Sequence, residues 1–150
     1  MPSAAYRLGE ALYAQARPPD FDQDYTTKAI DQWQKYLRDY PGHWLNAEAE
    51  RNSLFARSRL ATKLVATGDL YLQLKLPGPA RLYFDRVVED YGDTLLLGRA
   101  LLGRALCDAR QGRSTPAIAQ LKDIESRFPG QAVAVSAARE RARLEHRRTP

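Results

Sequence analysis

Residues 29–41 read AIDQWQKYLRDYP, and two later stretches, ARLYFDRVVEDYG at 80–92 and AIAQLKDIESRFP at 117–129, repeat the same pattern. Each opens on a small residue (Ala29, Ala80, Ala117). A bulky residue follows four positions on (Trp33, Phe84, Leu121), and another three beyond that (Tyr36, Val87, Ile124). Each then closes on an aromatic and a helix-stopping residue: Tyr40-Pro41, Tyr91-Gly92 and Phe128-Pro129. This is the spacing of a helix that packs one face and is then terminated.

A second, fainter signature precedes each stretch: Leu8, Gly9 and Leu12, then Thr67, Gly68 and Tyr71, then Arg104, Ala105 and Gly112. A small residue at a helix crossing lets two backbones approach, and the alanine of the second helix is expected to answer it. Each unit is then a helix hairpin of tetratricopeptide type. The third unit fits least well, because Asp108 stands where an apolar residue is expected. The stop at 92 precedes the stop at 129 by 37 residues, close to the ~34 of that repeat class, whereas 41 and 92 are 51 apart. The surplus falls between Trp44 and Leu74, where Ala47, Leu54, Leu60, Leu64, Tyr71 and Leu74 keep a helical period, which predicts one long helix. The expected fold is all-α, with tetratricopeptide-like hairpins stacked in a right-handed superhelix and one long linking helix. A single repeat domain is expected over 1–150, with units 1–41, 44–92 and 95–129 and a C-terminal helix at 132–147.

The composition suits such a fold, since 44% hydrophobic residues are enough to bury a continuous seam. The longest apolar runs, such as Leu95 to Leu97, are far below the ~18 residues of a membrane-spanning helix. The chain opens directly on Ala4, Ala5, Leu8, Ala11 and Leu12 at helical spacing, without a basic and then apolar leader. A first helix with an apolar side normally needs a covering hairpin, so the expectation is that the start of the protein has been removed.

Charge is unevenly placed. Through residue 60, eight basic and eight acidic side chains balance; beyond it fifteen face ten, which yields the whole net charge of +5. Arg99, Arg104, Arg110 and Arg113 punctuate one hairpin, and Arg139, Arg141, Arg143, Arg147 and Arg148 dominate the last segment. Such a run can mark a nucleic-acid or anionic-lipid footprint. Without stacking aromatics nearby, the favoured reading is a solvated helix face with arginines near a helix C-terminus, and no nucleic-acid partner.

No catalytic or cofactor constellation is expected. His43 and His146 lie far apart, and neither stands at i, i+4 from another ligand type. Cys107 is the only cysteine, which rules out an intrachain disulfide. Asp20, Asp22 and Asp24 lack the glycine and glutamate of a calcium loop, and read as caps and dipole partners for a helix beginning near Tyr25. Most aromatics coincide with repeat-packing positions; Tyr6, Tyr13 and Tyr83 lie off that spacing and are candidates for a peptide-holding groove. Arg81, Tyr83 and Arg86 flank the packing residues of the second unit and form the candidate docking patch, since arginine and tyrosine dominate interface hot spots.

Three stretches resemble one family. PPDFDQDYTTKAIDQWQKYLRDYP at 18–41 is similar to the segment of the BamD (YfiO/ComL) outer-membrane assembly lipoproteins in which an Asp-Arg-Asp-type loop leads into a helix ending in Tyr-Pro. NAEAERNSLFARSRLA at 46–61 resembles that family's long linking helix with its Arg-Leu-Ala. RLYFDRVVEDYGDT at 81–94 resembles its next hairpin and Tyr-Pro-Asp-Thr end. The chain departs from the family in Gln23 between the two acids, in Leu64 for a glutamate, in Tyr83 for an arginine before the aromatic, and in Gly92 for a proline. It reads as a divergent member. The resemblance implies a non-catalytic scaffold at the periplasmic face of the outer membrane, comprising the C-terminal repeats only. Its lipid anchor would be absent from this chain, and its partner would be the membrane-embedded barrel-assembly protein, held through periplasmic domains. The alternatives are a periplasmic adaptor of the cell-division coordinator type, or a generic cytoplasmic repeat adaptor with a basic C-terminal face.

Overall fold

The computed structural model describes residues 1–19 and 21–147, so Asp20 of the acidic cluster and Arg148 of the basic tail lie outside the described residues. Among the described residues seven helices follow one another: α1 (Pro2–Ala14), α2 (Asp24–Asp39), α3 (Asn46–Gln73), α4 (Pro77–Asp90), α5 (Leu97–Arg110), α6 (Ser114–Arg127) and α7 (Ala132–His146). No strand occurs among the described residues, and the fold is all-α, built of helix hairpins. The extra chain of the middle repeat is α3, a single helix of 28 residues. The chain divides into two compact units, Met1–Lys63 and Leu64–Pro150, the division falling within α3.

In the first unit α1 and α2 pack as a hairpin. Its core holds Tyr6, Ala29, Ile30, Trp33 and Tyr36 with Leu45, Ala49 and Ala56 of the following segment. Ala29, Trp33 and Tyr36 are at most 1% exposed, as their spacing demands. Gly9 explains how a tryptophan fits at the crossing: a Cβ there would overlap the indole of Trp33. The loop before α2 is organised by a buried side chain. Gln23 Nε2 donates to the carbonyls of Pro18 (2.8 Å) and Phe21 (3.1 Å), while its Oε1 accepts from Thr26 Oγ1 at 2.9 Å. Those bonds gather the loop around one buried amide, whose own polar atoms are thereby paired.

In the second unit α4 packs on α5, α5 on α6 and α6 on α7. Ala80, Phe84, Val87, Ala117, Leu121 and Ile124 are again at most 1% exposed. The Phe84 ring is seated between two glycines: a Cβ on Gly68 would come within 2.8 Å of it, and one on Gly103 within 2.5 Å. One repeat later the smaller Leu121 shares a core cluster with Ala105, the residue that follows Gly68 by 37. Small and large thus trade places so that the crossing stays filled without overlap. The expectation that the second-helix alanine answers the glycine is corrected here, since the bulky residue four positions after that alanine lies over it.

The three stops are built alike. Tyr40, Tyr91 and Phe128 each donate their N–H to the carbonyl four residues back, on Tyr36, Val87 and Ile124, and the helix ends there. Gly42 and Gly130, after the two prolines, take φ of 79° and 76°, which only glycine adopts without strain. The ends of α3 and α5 share another termination. Leu76 N–H reaches Tyr71 O and Lys75 N–H reaches Leu72 O; Arg113 N–H reaches Asp108 O and Gly112 N–H reaches Ala109 O. Both are Schellman closures, with Lys75 (φ 60°) and Gly112 (φ 79°) in the left-handed position.

Candidate functional site

The expected docking patch lies on α4, and its three residues have different surroundings. Arg86 stands outward with its side chain 62% exposed, 3.8 Å from the carboxylate of Asp90 one turn on. Leu82, one turn earlier on the same face, is 70% exposed, and nothing in the sequence distinguished it from a packing leucine. Tyr83 is half-buried and stacked on Tyr71. Arg81 is turned inward, its Nη1 donating to Asp108 Oδ1 at 2.5 Å and its Nε 3.5 Å from Asp85. Its guanidinium therefore braces α4 against α5, while its side chain keeps 28% exposure.

Asp108 is the centre of that brace. It is only 3% exposed, which a carboxylate tolerates when fully paired. Arg113 donates to Oδ1 through Nε at 2.8 Å and also through Nη2, and Gln120 Nε2 donates to Oδ2 at 2.5 Å. Burial alone would raise the carboxyl pKa, but the hydrogen bonds of Gln120 and Arg113 and the charges of Arg81 and Arg113 outweigh it and hold it below the ordinary range. The acid where the repeat calls for an apolar residue is thus a tie between α4, α5 and α6.

Of the three tyrosines expected in a groove, Tyr83 is described above, and Tyr6 is in the core. It is 3% exposed, packed edge-on against Tyr36 with ring centroids 5.9 Å apart. Its hydroxyl donates to Glu10 at 3.2 Å and accepts from Asn52 Nδ2 at 2.9 Å. Burial, then the Glu10 and Glu48 carboxylates, push its pKa up to about 12. The ring packs in the core, while the residue also borders a concavity whose walls include Arg7, Glu10, Trp44 and Glu48. Tyr13 does line a concavity, a pocket of about 220 Å³ whose walls include Glu10, Trp33, Asn52 and Phe55. Arg59 lies over the Tyr13 ring at 5.5 Å, and Phe55 stands edge-on to it.

The remaining titratable groups are structural in setting. His43 Nδ1 is 2.6 Å from the Tyr36 hydroxyl at the end of α2. Asp22 Oδ1 accepts the Asp24 N–H at 3.2 Å, but Gln23 holds the N-cap position of α2 and, among the described residues, no side chain caps the helix. Cys107 is fully buried, and burial pushes its thiol up to about 11. The arginines of the basic half are less solvated than a plain helix face implies. Arg99 pairs with Asp69, Arg104 with Asp85 at 2.9 Å, and Arg141 with Glu125 at 2.9 Å and Glu145 at 3.0 Å. Each of these except the last joins two helices, a use of charge that spacing alone does not reveal.

No helix among the described residues is long and apolar enough to cross a membrane. The sequence matches the tetratricopeptide repeat family over residues 3–43 and 99–130, that is, over the α1–α2 hairpin and the α5–α6 hairpin. No curated protein matches it. Repeats of this class typically serve as non-catalytic scaffolds that hold other proteins on surfaces made by stacked hairpins. The buried repeat positions and the shared stops agree with that match and support helix hairpins of tetratricopeptide type in those two stretches.

Proposed function

We propose that this chain is the partner-docking part of a divergent outer-membrane assembly scaffold of the BamD type, working at the periplasmic face of the outer membrane. The observation that supports this reading is α3. One uninterrupted helix of 28 residues stands where the resemblance calls for a long linking helix, making the middle repeat longer than the third. The docking surface is the outward face of α4, with Leu82 and Arg86 as its apolar and charged anchors and the edge of Tyr83 beside them. Its partner is the membrane-embedded barrel-assembly protein, engaged through periplasmic domains, and no bond is broken in the process.

A photo-crosslinking residue at position 86 in the source organism tests this directly. Arg86→p-benzoylphenylalanine is expected to crosslink to the barrel-assembly protein, while the same residue at Arg127 of α6 does not. Crosslinks to cell-wall or division proteins instead would replace the proposal with the cell-division coordinator type, and no crosslink at all would contradict it.

A further inference from the structure

A groove of about 430 Å³ lies in the second unit between α5 and α7. Leu106, Ala109 and Leu144 give it an apolar lining, and Arg110, Arg143 and Arg147 stand around it with, among the described residues, a single carboxylate, Glu140. Three guanidiniums against one carboxylate leave the groove cationic. Glu140 is 3.8 Å from Arg143 Nη1, whose side chain is 62% exposed, and Arg110 Nη1 donates to the uncharged Leu72 carbonyl at 3.2 Å. This is unlike five other arginines of the same unit, Arg81, Arg99, Arg104, Arg113 and Arg141, each of which meets a carboxylate of another helix or a buried one.

We propose that this groove binds an acidic segment of a partner protein, an internal stretch in which side-chain carboxylates alternate with an apolar residue. The carboxylates pair with Arg110 and with Arg143 and Arg147, where guanidinium forks offer bidentate hydrogen bonds. The apolar residue covers Leu106 and Leu144. Nucleic acid fits this lining less well: among the described residues no aromatic stands in it for a base to stack on, and its apolar floor has no use for phosphate. The groove uses other helices than the α4 surface, so it stands or falls independently of that docking surface.

The test is fluorescence anisotropy with a labelled nine-residue peptide of alternating glutamate and leucine, acetylated and amidated so that it carries no terminal carboxylate. Saturable binding is expected, weakened roughly tenfold or more by Arg143→Glu with Arg147→Glu and unaffected by Arg127→Glu, an arginine outside the groove. The neutral pair Arg143→Gln with Arg147→Gln gives the same ordering with less repulsion, and thermal melts confirm that each variant is folded. Equal loss in the Arg127→Glu control, or tighter groove-dependent binding of a single-stranded oligonucleotide or of anionic vesicles, would overturn the proposal. So would failure of the peptide to bind at all.

Discussion

Tyr71 lies against Tyr83 with ring centroids 5.5 Å apart and 18° between the planes, and 37 residues on the same two repeat positions hold Asp108 and Gln120, joined by a 2.5 Å hydrogen bond. A stacked pair in one repeat has become a buried polar tie in the next, and the tie recruits Arg81 from α4 and Arg113 from the start of α6. Asp108→Ala removes the acceptor of all three donors. The expected cost is about 3 kcal/mol, the low end for breaking a buried ion pair, because both guanidiniums still reach water. Denaturant unfolding measures it, and a loss near zero would show the tie to be dispensable.

The same carboxylate makes acid stability a second readout. Its folded-state pKa lies below the unfolded value, so its contribution is present above about pH 4 and is lost as pH falls through the folded value. Asp108→Asn is expected to lower stability at neutral pH and to flatten the loss as pH falls below about 4. Urea midpoints across that range would show parallel wild-type and variant curves if Asp108 were not the group responsible.

The seat of Phe84 gives opposite signs to two glycine substitutions. Gly103→Ala places a Cβ 2.5 Å from the ring and is expected to cost roughly 1 to 3 kcal/mol, overriding the ~1 kcal/mol that alanine gains in a helix. Gly78→Ala in α4 meets nothing closer than the flexible Gln111 side chain at 3.9 Å and is expected to be neutral or stabilising. Melting temperatures that moved in the same direction for both would contradict the seat.

Lys75 occupies the left-handed position that glycine fills at Gly112, one repeat later. Lys75→Gly should relieve the Cβ strain and raise stability by up to about 1 kcal/mol, the αL penalty of a non-glycine residue less the added chain entropy of the unfolded state. Thermal unfolding decides the sign.

Cys107 is expected to resist alkylation in the folded protein at pH 8, since its thiol is buried and titrates at about 11. Its modification by iodoacetamide should appear only as denaturant opens the second unit. Rapid labelling of the native chain would place that thiol at the surface instead.

Much of the fold is legible in the sequence because packing of this kind is local and periodic. The alanine, aromatic and stop positions sit on one face of one helix, so 3.6-residue spacing exposes them, and an uninterrupted period marks α3. What spacing cannot show is which residue from another helix answers a given position. Asp108 looks like a flaw in the repeat until Arg81, Arg113 and Gln120 are beside it. Arg81 and Tyr6 are off the shared spacing, yet long-range partners, Asp108 at one and Asn52 at the other, draw them inward. Leu82 and the α5–α7 groove are the converse: ordinary residue types that neighbours leave uncovered. Gln23, whose bonds are local, carries no sequence signal because glutamine serves loops and surfaces alike.

The most direct measurement is calorimetric titration of this chain with the purified periplasmic domains of the barrel-assembly protein from the same organism. The account predicts saturable one-to-one binding with a Kd of about 1 μM or tighter, ~8 kcal/mol, and a roughly tenfold or greater loss in Leu82→Ala with Arg86→Ala at unchanged melting temperature. Absence of binding, or binding that the α4 double variant leaves intact, would contradict it.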